Sequence, residues 1–332
     1  MEDDNGGIIM SKDSNKFDVI AKLDNVTKAF GEVVAVSDAS FSVEKGKITG
    51  FLGPNGAGKT TSIKMILGLI RPQKGRVSLF GKDPFYKSSL KQLIGYIPEV
   101  EAFPKWMKAR DFFFWLGRFQ LTREEAIRRA DKVLKEIGLE DVADKRISEF
   151  SKGMKQRMKI GQALVHKPAL VIGDEPFNGL DPVVRRTMFD LFKDYTRKYN
   201  STFFISSHIL FEMEKISETV ILMYKGRTIA QGSPLRIREM IEDQPHSIQI
   251  TVKDSKKLST LLINNANEGI VSQIKFQKDI RSNENQLLVL TNKPREFYSL
   301  VTDLVCDHEI PIIEIKATDE RLENLYKSLT IG

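Results

Sequence analysis

Apolar positions along this chain change period several times, and the changes mark out its elements. Short alternating runs at residues 19–23 and 40–43 predict half-buried strands, whereas the unbroken run Ile48–Leu52 predicts a strand buried on both faces. That run ends at Gly53. From Lys59 the period becomes helical, with Ile63, Met65, Ile66, Leu67 and Leu69 on one stripe, which predicts a helix to about Arg71, just before Pro72. A strand, a glycine-rich loop and a helix therefore follow one another directly.

Beyond residues 96–98, segments 109–119 and 122–137 predict helices, the second opened by a capping box of Thr122 and Glu125 and closed at Gly138. Strand-like runs return at Leu170–Gly173, 202–206 and 219–223, separated by helical stretches. This predicts an α/β fold, a parallel sheet interrupted by a helical insert. After about residue 242 the pattern restarts as strand (247–252), helix (258–262), two strands (270–276, 286–290), helix (Pro294–Asp307) and strand (312–315). The βαββαβ order predicts a small α+β domain of the split-βαβ, ferredoxin-like kind, followed by a closing helix at 320–329.

Composition narrows the class. The 332 residues, 41% of them hydrophobic, suit one large domain and one smaller one, and residues 1–16, acidic and polar, predict a flexible tail. No stretch approaches the roughly 18 apolar residues of a membrane span. A single cysteine, Cys306, forms no internal disulfide, and four scattered histidines make no metal-ligand cluster; both fit a cytoplasmic setting. The net charge of +7 is spread along the chain without a basic block, so no nucleic-acid partner is expected.

The strongest chemical signal is Gly53-Pro54-Asn55-Gly56-Ala57-Gly58-Lys59-Thr60, followed by Thr61, which fits G-x-x-x-x-G-K-[ST] between a strand and a helix. Backbone N–H groups and the helix start cradle phosphates, Lys59 reaches the β- and γ-phosphates, and Thr60 ligates Mg²⁺. The run at 170–173 continues into Asp174-Glu175-Pro176, an acidic pair at the carboxyl end of a buried strand. Such a pair alone also suits a helix cap. Beside the loop of Lys59, Asp174 holds Mg²⁺ and Glu175 polarises water.

With four further segments in the same order, these motifs resemble the ATP-binding cassette (ABC) ATPases. Phe150-Ser151-Lys152-Gly153-Met154-Lys155-Gln156-Arg157 is similar to the family signature LSGGQ, Asn178-Gly179-Leu180-Asp181 to the loop crossing the dimer interface, Ser206-Ser207-His208 to the histidine switch, and Phe30 to the aromatic that stacks on adenine. Lys152 and Met154 depart from the signature, in a spelling that resembles cassettes of ABC-2-type exporters. Glu99 stands where many relatives carry glutamine. The resemblance implies a P-loop cassette at 17–242, with a RecA-like core, an antiparallel β subdomain and a helical subdomain at about 100–165, and leaves 243–332 as an accessory domain. It further implies catalysis by Glu175 and His208, with Mg²⁺ held by Thr60, Glu99 and Asp174. Ser151 and Gly153 would touch the ATP of a second, identical or related, cassette. The partner it implies is an integral-membrane permease, with the chain peripheral on the cytoplasmic face of the cell membrane. A non-transport ABC ATPase remains the alternative. The aromatic stretch 103–119 is either the permease groove or the insert's own core.

Overall fold

The computed structural model describes residues 19–242, 245–267, 269–278 and 285–318; the expected tail at 1–16 and closing helix at 320–329 lie outside them. Two compact units emerge, divided between Pro234 and Leu235.

The first unit runs β1 (Val19–Phe30), β2 (Val33–Glu44), β3 (Ile48–Leu52), α1 (Lys59–Ile66), β4 (Lys74–Leu79) and β5 (Ile94–Ile97). Three helices follow, α2 (Ala109–Arg118), α3 (Arg123–Glu136) and α4 (Lys152–Leu164), then β6 (Leu170–Gly173), α5 (Pro182–Tyr199), β7 (Thr202–Ser207), α6 (Leu210–Ile216), β8 (Thr219–Tyr224) and β9 (Arg227–Gly232). One sheet is antiparallel, in the order β2-β1-β4; the other has the order β5-β6-β7-β3-β8-β9, parallel except for β9. Flanked on both edges, β3 is buried at every position, as its unbroken apolar run requires.

A single core joins the two sheets and α1. Phe41 of β2 lies 5.1 Å from Phe51 of β3, which stacks at 5.0 Å on Phe204 of β7. Helix α1 ends earlier than its apolar stripe predicts. Gly68 adopts φ +67°, its N–H donates to the Met65 carbonyl, and the Leu69 N–H donates to that of Lys64, which closes a Schellman turn. A side chain at Gly68 would collide with the Pro84 carbonyl. Strands β4 and β9 carry no alternating apolar signal of their own and were not expected.

In the insert, Thr122 and Glu125 form the expected capping box. Phe113 takes the core position, fully buried, while Trp115 and Phe119 are 58% and 84% exposed and Trp106 is exposed as well. The reading of Trp115 and Phe119 as core residues therefore fails.

The second unit contains α7 (Pro234–Glu242), β10 (His246–Val252), α8 (Ser255–Asn265), β11 (Gln273–Lys278), β12 (Asn285–Thr291), α9 (Pro294–Asp307) and β13 (Ile312–Thr318). Its antiparallel sheet has the order β11-β12-β10-β13, the split-βαβ arrangement. Ile248, Ile250, Leu287 and Val289 pack there with Leu258, Phe297 and Val301 of the helices.

Candidate functional site

Parallel register decides which side chains meet. Ile97 of β5 lies opposite Gly173 of β6, Gly173 opposite Ile205 of β7, and Leu52 of β3 opposite Ser207. Their carboxyl ends therefore open on one side of the sheet, where helix starts and loops leave donors unpaired. There the structure forms a cleft of about 450 Å³ lined by Val33, Val34 and Ala35, the loop Pro54–Thr61, and Glu99, Asp174 and Glu175. Gly53 lies at its root, packed so closely on β8 that a Cβ would sit 2.3 Å from the Met223 carbonyl oxygen.

Lys59 is buried in this cleft. Its ammonium donates to the carbonyls of Gly53 (2.6 Å) and Pro54 (3.3 Å) and lies 3.5 Å from Glu175 Oε1. The other carboxylate oxygen of Glu175 is 3.0 Å from His208 Nδ1. Glu175 holds a left-handed backbone conformation, φ +50°, which costs a non-glycine residue about 1–2 kcal/mol. Its N–H donates to Ser206 Oγ at 2.9 Å, and that hydroxyl donates in turn to Asp174 Oδ1 at 2.8 Å. One serine therefore ties together both acids. Ser206 stands in the sequence beside His208, but its partners become visible only through the β6–β7 register.

Asp174 is 1% exposed, and its Oδ2 is buried without a hydrogen-bond partner; Glu175 Oε1 also lacks one but faces the Lys59 ammonium. An unpaired buried carboxylate oxygen is costly unless a cation or donor meets it. Among the described residues no cluster of three or more His, Cys, Asp or Glu could hold a metal alone. The donor set of Thr60, Asp174 and Glu99 is instead all oxygen and incomplete, which suits Mg²⁺, an ion that keeps waters and phosphate oxygens in its shell. Burial pushes the Tyr96 phenol at this edge up to about 12, and the charges of Asp174 and Glu99 add to the effect.

The remaining candidate residues lie elsewhere. Ser151 caps α4, its Oγ accepting from the Met154 N–H at 3.2 Å, and neither it nor Gly153 lines the cleft. Phe30 is half-exposed at the end of β1 beneath the Lys28 ammonium and is also outside the lining. Asp181 caps α5 through the N–H groups of Val183 and Val184. Of two further α4 residues, Gln156 stands in the sequence only as part of the signature segment and Lys159 carries no signal there. Gln156 donates to the Pro176 carbonyl, and Lys159 to that of Glu99 at 2.7 Å.

Residues 36–178 match the family described as ABC transporter. The linearmycin resistance ATP-binding protein LnrL of Bacillus subtilis (strain 168) is 32% identical over 315 residues, 92% of this chain and 97% of its own length. The chain belongs to the ABC transporter ATP-binding proteins. The bacitracin transport ATP-binding protein BcrA of Bacillus licheniformis is 40% identical over 214 residues, 64% of this chain and 69% of that protein. The dimeric structure of a bacterial ABC transporter cassette shares the fold, with TM-score 0.60 and 24% identity over 64% of this chain and 98% of that one. This cassette is thus an ATP-binding subunit of an ATPase family, and the first unit has the family's fold. Among the described residues no helix is long and apolar enough to cross a membrane.

Proposed function

We propose that this chain hydrolyses ATP in a head-to-tail pair of cassettes and thereby drives a separate membrane permease, as an exporter's energy-supplying subunit on the cytoplasmic face of the membrane. The observation that carries this reading is the Lys59–Glu175 pair buried in the P-loop cleft, with the exposed His208 on the second Glu175 oxygen, while Ser151 and Gly153 lie outside the lining. Such a site is half built: it binds and polarises from one side and lacks donors from the other.

Within the chain, the loop Gly53–Thr60 orients the phosphates through backbone N–H groups and Lys59 neutralises their charge; Thr61 extends the donor row. Glu175 accepts a hydrogen bond from the attacking water, its carboxylate aimed by His208 and its backbone by Ser206. Thr60, Asp174 and Glu99 would hold Mg²⁺, which would screen the charge on the phosphate oxygens. Ser151, with the Gly153 N–H at the start of α4, closes on the nucleotide of the second copy. Phe30 stacks on the adenine.

Relatives named for bacitracin transport and linearmycin resistance support an export role, and a structural neighbour described as dimeric supports the pairing. Exposed Trp106, Trp115 and Phe119 offer the permease an apolar surface. We assign residues 17–242 to the cassette and 243–332 to the accessory domain, although the compact units divide earlier, after Pro234, and leave most of α7 with the second. Glu175→Gln should lower turnover about 10²–10⁴-fold while nucleotide stays bound. Light scattering with ATP and Mg²⁺ should then show a stable dimer; a monomer throughout would contradict the paired mechanism.

A further inference from the structure

Helix α4 grips the edge strand β5 along its length. His166, just beyond the helix, lies 3.1 Å from the Ile94 carbonyl oxygen, Gln162 donates to that of Tyr96, and Lys159 donates at 2.7 Å to that of Glu99. These are one helical face meeting one extended segment, and the rung nearest the cleft is the charged one. Lys159 is 5% exposed. Burying an ammonium is costly unless it does electrostatic work, and a backbone carbonyl alone repays little of that cost. Glu101 pairs with Lys155 at 3.4 Å and also attracts Lys159, more strongly than Glu99 does, so what ties Lys159 to Glu99 in particular is the hydrogen bond to its carbonyl.

We infer that Lys159 is a positioning residue for Glu99, holding that segment at the rim of the phosphate cleft by its carbonyl and screening its carboxylate from the nucleotide. This rests on the reading of the cleft as an ATP site. A carboxylate beside a triphosphate repels it, whereas the amide found in many relatives does not, so a fixed cation behind position 99 offsets the penalty. The same cation leaves the Glu99 side chain oriented as an oxygen ligand. Because α4 begins at Ser151, the helix presented to a second cassette is also the one that fixes Glu99.

The test is a double-mutant cycle on the full chain, read by anisotropy of a fluorescent ATP analogue in EDTA and across a Mg²⁺ titration. Lys159→Met should weaken metal-free nucleotide binding about tenfold and raise the Mg²⁺ needed for half-maximal binding, the scale of one lost charge-assisted hydrogen bond. In a Glu99→Gln background the same change should cost about threefold or less, since the charge to be screened is gone, and Lys159→Arg should retain most of the wild-type affinity. Equal losses in the two backgrounds, or no loss, would overturn the assignment. Should Lys159→Met not fold, Lys159→Gln, which keeps a donor and drops the charge, carries the same expectation. Wild-type protein that binds no nucleotide would instead remove the underlying reading of the cleft, and this inference with it.

Discussion

The cleft and the start of α4 are built on opposite principles. In the cleft, Lys59, Asp174, Glu175 and Ser206 are buried and bonded to one another, so the groups are aimed before any ligand arrives. At α4, Ser151 is exposed and makes one local cap bond. Preorganisation costs stability: a left-handed glutamate, a buried lysine and the unpartnered Oδ2 of Asp174 are all unfavourable in isolation. The contrast teaches that the cleft is preorganised whereas the start of α4 is left open, as the proposed pairing of cassettes requires.

Substitutions can break or sharpen that contrast. The largest effect is expected for Lys59→Ala, which removes the buried cation and should cut phosphate release about 10²–10³-fold while abolishing tight nucleotide binding, as measured by a coupled assay and by equilibrium dialysis. Next comes Ser206→Ala. It strips a partner from Asp174 and from the Glu175 N–H, should destabilise the fold by about 1–3 kcal/mol in urea, and should lower turnover about tenfold or more through misplacement of Glu175. Ser151→Ala should leave nucleotide affinity of the isolated subunit near wild type, cost about 0.5–2 kcal/mol through the lost cap, and slow turnover only at concentrations where subunits associate.

The smallest effect concerns pH. Burial, opposed by the hydrogen bond to the Ile94 carbonyl, holds the His166 imidazole below its usual range. A depressed folded-state value means that the neutral ring stabilises the fold above its unfolded pKa of about 6.5, and that this contribution fades as pH falls through the folded value. Urea midpoints should therefore drop as pH falls below about 6.5, and His166→Gln should flatten that slope. An unchanged slope would remove His166 from the account.

Much of the cleft was legible because its residues are contiguous. The β3–loop–α1 segment announces itself by a buried run, glycines and a helical stripe, and the β6 acids follow the same logic. Ser206 and Lys159 were not legible, because their meaning depends on which strands and helix become neighbours. Edge strands β4 and β9 escaped since their burial is partial and their polar residues follow no period. Trp115 and Phe119 show the reverse failure: helical spacing of aromatics signals a stripe but not what the stripe faces.

The strand order has a dynamic consequence. Amide hydrogens of central β3, flanked by β7 and β8, should exchange only when the whole unit opens, so the phosphate loop hangs from the slowest-exchanging strand. Glu99 extends from β5 at the sheet's rim, whose amides exchange through local fraying held in check by the grip of α4. Deuterium uptake should therefore separate the slow strand beneath the phosphate loop from the faster rim that carries Glu99.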